Sequence, residues 1–431
     1  MKNALTAIDQ RARIKGSRDP LGFVPVWSRF GRKVVGNLTT QSNSLRGFTT
    51  LLLGIYFAQR AEDAGATDSM LDAFLRFEQL AAYARKGKND DGGFRGIDRV
   101  SSWLSKRKEF TLSTHPDDQI LSNQRTYGLW GLFTVPAEAS GLLQHDSTTL
   151  TPAAEKFVES RYMPVFARAG DPDARRTLQL ITRPRSNVSL GGKDAPLLQA
   201  IADLHGKKLT RFEAEFYREH LLLNSAADKT SGAQAQLVGL LNELPLGSEF
   251  DMQALRAVTK SALSRGPDHS GLAEWLSAIG TLERFLVPAA SAFGFLLSRD
   301  GQGVDAVAQE IRDAWGEGLH TIDVPHLTAH RGEIGAATHE GGAERLLRVA
   351  TAFKEGDFGV AVGQLVEHNT AVMQHRNGSD AWVRIENDCL RVRFHDELER
   401  LVDPGTLESP WKNSYFIDSL FTVFRTIRGD G

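Results

Sequence analysis

Two stretches of the 431-residue chain gather side chains used in metal, hydrolytic or nucleic-acid chemistry. In the first, His320, His326, His330 and His339 run beside Asp323, Glu333 and Glu340. Imidazoles and carboxylates together bind zinc or activate water. The run HLTAH spaces His326 and His330 four apart but lacks the glutamate of HExxH. On spacing alone these are surface or structural histidines, and no metal ligand is assigned. In the second stretch, His368, Asn369, His375, Arg376 and Asn377 precede Asp380, Trp382, Arg384, Glu386, Asp388, Arg391, Arg393 and His395. Seven residues separate His368 from His375, which puts both near one face of a continuous helix. Arg391 and Arg393 alternate toward one side of a strand. His368, His375, Arg376, Arg391 and Arg393 are therefore expected to form a C-terminal interaction surface for nucleic acid, a partner protein or an acidic ligand.

Asp380, Glu386 and Asp388 are the carboxylates a metal-dependent nuclease or hydrolase would use, but no acid-x-lysine or histidine-metal pattern accompanies them. Cys389, the only cysteine, sits in CLRVRF without a base and orienting partner, as a small apolar packer does. A single cysteine excludes an intrachain disulfide and a cysteine-rich zinc or iron–sulfur centre. No catalytic residue, cofactor or metal is expected.

Net charge is only −2, yet Arg11, Arg13, Lys15, Arg18, Arg29, Arg32, Lys33 and Arg46 crowd the first 46 residues. Local potential, not the total, governs the approach of phosphates. Arg29, Arg32 and Lys33 flank Phe30 in VWSRFGRKVV, combining phosphate contacts with an aromatic surface. The structural alternative puts Trp27 and Phe30 in a helical core with solvated cations. The glycine-rich interval KGKNDDGGFRGIDR, residues 86–99, lacks the GKS/T ending of a P-loop; its Arg95 and Arg99 read as surface-loop arginines able to meet an acidic partner.

The elements that must position these groups are mostly helical. Asn43 or Ser44 can cap a helix with Leu45, Phe48, Leu51, Leu52, Ile55 and Tyr56 on its apolar stripe; Thr67 or Asp68 can start its hairpin partner. Thr210 and Glu213 have the spacing of a capping box, with Phe212, Phe216, Leu221 and Leu222 as inward-facing mass. FLVPAASAFGFLL, residues 285–297, is too short to cross a membrane uninterrupted and reads as a buried, kinked helix, and the first residues lack the apolar run of a signal peptide. AWVRI and CLRVRF, separated by END, predict a small hairpin before a final helix around NSYFIDSLFTVFRTI.

The middle run DDQILSNQRTYGLWGLFTVPAEASGLLQHDSTTLTPAAEKFVESRY has helical spacing, then Leu142–Leu143 and Leu150 as short strands around QHDSTT, then a helix capped by Thr151 with Pro152 in its first turn. Over about residues 112–165 this arrangement resembles the winged-helix superfamily. The resemblance implies a recognition helix around Gln124–Thr134 offering Arg125, Thr126 and Tyr127, and a wing offering His145, Ser147 and Thr148. Winged helices also serve as protein-interaction modules. The layout of the whole chain resembles accessory proteins of bacterial antiviral-defence or genome-maintenance complexes.

The expected fold class is mainly α with small β elements: a multidomain helical protein with a winged-helix-like module and a C-terminal α+β region. Expected boundaries are a basic N-terminal helical region at 1–110, the winged-helix-like module at 111–168, a middle helical domain at 169–265 and a C-terminal domain at 266–431. The expected function is that of a non-enzymatic, cytoplasmic, DNA-associated assembly or regulatory protein, with Arg29, Arg32, Lys33, Arg125 and Tyr127 as the nucleic-acid contacts. Expected partners are DNA and a protein partner or second copy, with no membrane. The competing readings are a protein-only scaffold for an ATPase or nuclease, and a metal-dependent nuclease or hydrolase.

Overall fold

Helix starts are set by short polar side chains that take up otherwise unpaired backbone N–H groups. Ser44 accepts from the Gly47 N–H and opens helix Leu45–Asp63. Ser69, one residue beyond the expected cap, accepts from Asp72 and opens Met70–Asn89. Such helices make the protein mainly α, 62% helical, with two small two-stranded sheets among the described residues. This computed structural model describes residues 19–67, 69–224, 227–244, 249–376, 380–395 and 400–429. Arg11, Arg13, Lys15, Arg18, Asp68 and Asn377 lie outside them.

The chain divides into two units, each built from separated stretches of sequence. One unit runs to Arg32 and resumes over Asp251–Tyr415; the other comprises Lys33–Phe250 and the chain from Phe416 onward.

In the first unit the 27-residue helix Ser270–Leu296 is the spine and continues through Pro288. It is long and apolar enough to cross a membrane by composition, but 83% of its most apolar window is buried within the protein, as in a core helix. Helix Phe23–Gly31 packs on it. The fully buried Glu283 of this spine accepts from the Lys412 and Asn413 N–H groups, from Asn413 Nδ2 and from the Tyr415 hydroxyl, at 2.5–2.9 Å. Burial raises its pKa and these four donors oppose the rise. Val383–Glu386 and Cys389–Val392 form the expected hairpin. Asn387 and Asp388 both have positive φ, 51° and 59°, as a two-residue type I′ turn requires.

In the second unit Leu45–Asp63 packs on Met70–Asn89, and all six apolar residues expected on the first helix are buried. Each fully buried large side chain contributes about 1.5–3 kcal/mol. Glu109–Ser113 pairs antiparallel with Arg185–Ser189, with Phe110 opposite Val188. This sheet escapes sequence reading because about seventy residues separate its strands, leaving no hairpin signal. The expected Gln124–Thr134 helix is broken at Gly128 into Gln124–Tyr127 and Leu129–Ala139. Leu143 bridges Leu150, the Gln144 N–H donates to Thr149 O at 2.9 Å, and Thr151 caps Pro152–Phe157. The Thr210–Glu213 capping box is present. Phe212 departs from expectation: it is 49% exposed, with the Arg161 guanidinium carbon 3.6 Å from its ring centre.

Candidate functional site

Met70–Asn89 carries Glu78 and Arg85 seven residues apart, both turned inward among its apolar residues. They line a cavity of about 370 Å³, together with Ser44 and Gly47 at the start of the neighbouring helix and Phe94 and Arg95 of the glycine-rich loop. Sites for small molecules span about 300–1,000 Å³. Glu78 accepts from the Leu129 N–H through Oε1 and from Gln124 Nε2 through Oε2, both at 2.7 Å. Burial raises its pKa to about 7 against the pull of these donors and of Arg95. Gly128 is the residue that lets this approach occur, since a Cβ there would stand 2.8 Å from Glu78 Oε2. Gln124 in turn bonds Gln79, which holds both the carbonyl and the N–H of Ser113.

Arg85 donates through Nε to Asp91 at 2.7 Å and through Nη2 to the Gly93 carbonyl at 2.9 Å, and its guanidinium stands 5.0 Å from the Phe94 ring centre. Its Nη1 has no partner among the described residues. Burial lowers this guanidinium's pKa, and the Asp91 carboxylate opposes the fall. Thr50 also lines the cavity, and its hydroxyl is 2.8 Å from His205 Nε2, whose pKa is brought down to about 3, first by burial and then by the charge of Arg85. An unused guanidinium N–H and an aromatic wall suit the binding of a polar, anionic group, which Glu78 tolerates in its neutral, protonated form.

Arg95 joins this cavity to an exposed edge. Its Nε donates to the Tyr127 carbonyl and its Nη1 to Gln41, at 2.8 and 2.9 Å. Arg99 Nη1 donates to the Gln119 carbonyl at 2.8 Å. These bonds bring the loop arginines, read in sequence as solvated, against the segment carrying the expected residues Arg125 and Tyr127. Arg125 is exposed and Tyr127 is 52% exposed.

The other expected nucleic-acid contacts are held differently. Arg29 forms a 2.5 Å salt bridge with Glu333, so its charge is already partnered. Arg32 and Lys33 are half-buried, and burial lowers the pKa of Arg32. Trp27 and Phe30 are buried in the core, as the structural alternative required.

The expected C-terminal surface is only partly at the surface. His368 is buried, 1% exposed, with Nε2 2.9 Å from the Leu21 carbonyl, and burial brings its pKa down to about 4. The helix is continuous over both histidines, but only the His368 end of the face points into the unit. Arg376 is half-buried and tied to the carbonyl and carboxylate of Asp19. His375 is exposed and stacks on His339, while Arg391 and Arg393 face solvent and pair with Glu386 and Asp380. Asp380 thus neutralises arginines, Arg384 among them.

Glu78 and Arg85 were missed by sequence reading. The available signal was their phase: from Phe74, positions i+4 and i+11 continue the buried stripe. Comparison with protein-family models, curated proteins and solved structures finds no match to this chain.

Proposed function

We propose that the protein is a non-enzymatic, nucleic-acid-associated assembly or regulatory protein that contacts its polynucleotide through Arg95, Arg99, Arg125 and Tyr127. The observation that supports this reading is the bond from Arg95 to the Tyr127 carbonyl, which sets that cation beside the segment carrying Arg125 and the exposed Tyr127 ring. None of these three arginines forms a salt bridge among the described residues, and the charge of Arg95 acts on the buried Glu78. Guanidinium groups of this kind neutralise phosphates, and a tyrosine offers a stacking face for an unpaired base. The unused Arg85 Nη1 and the Phe94 ring give the adjoining cavity the same preferences. A lone cysteine is in keeping with a reducing, cytoplasmic setting.

The test is fluorescence anisotropy with a labelled single strand and the matching duplex between 50 and 200 mM KCl. Three phosphate contacts on a single strand give a log–log slope of roughly −2, a loss of about 20-fold over that range. The combined variant R95Q/R99Q/R125Q, confirmed folded, is expected to flatten that slope. Folded wild-type protein that binds neither nucleic acid at 50 mM KCl would discard the reading. The exposure of Val135, 67%, favours the competing protein-only scaffold. That scaffold is selected by a stable assembly that forms without salt-sensitive nucleic-acid binding.

A further inference from the structure

The first unit holds a gathering of side chains that neither the cavity nor the basic edge involves. Glu274 and Thr281 lie two turns apart on one face of Ser270–Leu296. His326 and His330 lie four apart across the end of the short helix Val324–Ala329, which Asp323 caps by accepting from the His326 N–H. The two helices pack on each other. Donor atoms of Glu274, His326 and His330 all fall within 4.8 Å of one another.

Two distances define the arrangement. His330 Nε2 is 3.3 Å from His326 Nε2 and 3.3 Å from Glu274 Oε1. Both are long for hydrogen bonds, which cluster at about 2.7–3.2 Å. They match the edge of a tetrahedron of ligands, about 3.3–3.4 Å when each donor stands about 2.0–2.1 Å from a central ion. His326 is also oriented for ligation: its Nδ1 lies 2.9 Å from Thr281 Oγ1, leaving Nε2 to face the other two donors. A hydrogen bond on the far ring nitrogen is the usual device for fixing a ligating imidazole. Phe30 and Trp275 pack against the His330 ring, at 5.7 and 5.5 Å between centres, and His330 is only 11% exposed. The comparable group Glu138, His145 and Asp146 lacks this spacing: Glu138 and His145 are at hydrogen-bond distance, 2.5 Å, and the His145 side chain is 81% exposed.

We infer that Glu274, His326 and His330 form a binding site for a divalent transition-metal ion of the zinc class. Two imidazoles and one carboxylate suit zinc or cobalt; magnesium and calcium require oxygen donors. Three protein donors leave one position of a tetrahedral ion for water or another small ligand, the open arrangement rather than the closed four-ligand one. The site stands apart from the nucleic-acid reading and is tested without nucleic acid.

The experiment uses the full chain after chelator treatment, titrated with Zn²⁺ or with Co²⁺ as a visible probe of tetrahedral geometry. Wild-type protein should take up one ion per chain at this site, with intense Co²⁺ absorption bands that Zn²⁺ displaces and excess Mg²⁺ does not. H326A/H330A should abolish the bands. E274Q changes an exposed side chain and provides a test if the histidine variant fails to fold; it should weaken binding at least tenfold. T281V should weaken it by about 10- to 100-fold, as loss of an orienting partner does. Folded wild-type protein that binds no Zn²⁺ overturns the inference, as does unchanged stoichiometry and affinity in folded E274Q and H326A/H330A.

Discussion

Glu78 and His205 are both buried in the second unit, and each is held in the state opposite to its ordinary form at mildly acidic pH. The Glu78 pKa is raised to about 7 and that of His205 lowered to about 3, with burial the largest cause for each. A carboxyl with a raised folded pKa contributes stability that is full below about pH 4.5 and is lost as pH rises through 7. A histidine with a depressed folded pKa does the reverse: its contribution is full above about pH 6.5 and is lost as pH falls toward 3. Between pH 4.5 and 6.5 the two slopes cancel, because folded and unfolded chains each bind one proton across this pair. E78Q removes one slope and should lose about 2–3 kcal/mol more than wild type on acidification from pH 6.5 to 4.5. Urea unfolding at the two pH values measures the difference, and an equal acid response in variant and wild type refutes the assigned titration.

At the scale of elements, one carboxylate serves several. Glu213 completes the capping box with Thr210 and forms a 2.7 Å salt bridge with Arg46. It also accepts from Tyr162, which bonds Tyr217. The box was legible from four residues because it depends on local spacing; the Arg46 bond spans 167 positions and had no local signal. T210A should therefore cost about 1 kcal/mol, the usual loss of a cap. E213A leaves Arg46, only 12% exposed, without its carboxylate and should cost about 3–5 kcal/mol. Comparable losses in urea unfolding would show that the long-range bridge contributes nothing. G128A tests the helix break: its Cβ would meet the Gln124 carbonyl oxygen first and Glu78 next, so a loss of at least about 1–3 kcal/mol is expected with a shift in the Glu78 titration.

At the scale of the molecule, each unit depends on a distant stretch of chain. Helix Ile417–Arg428 packs against Arg218–Leu223 of the second unit, and Phe421 lies 5.7 Å from Phe250 between ring centres. A fragment spanning residues 33–250 should lose cooperative thermal unfolding and expose apolar surface to dye. Joining residues 416–431 to it by a short linker should restore both properties; equal behaviour without them would contradict this assembly. The sequence by itself determined the helical class, the caps at Thr151 and Thr210, the bridge of Leu143 with Leu150 and the C-terminal hairpin, because periodicity, capping and turn chemistry act over a few residues. Tertiary structure alone decided that His368 faces inward, that Arg29 is partnered by Glu333, and that Arg95 reaches Tyr127. It also brought Glu274 to His326 and His330 from about fifty residues away. These outcomes depend on which helix faces meet when the apolar stripes are buried, and residues far apart in the chain carry no local record of that choice.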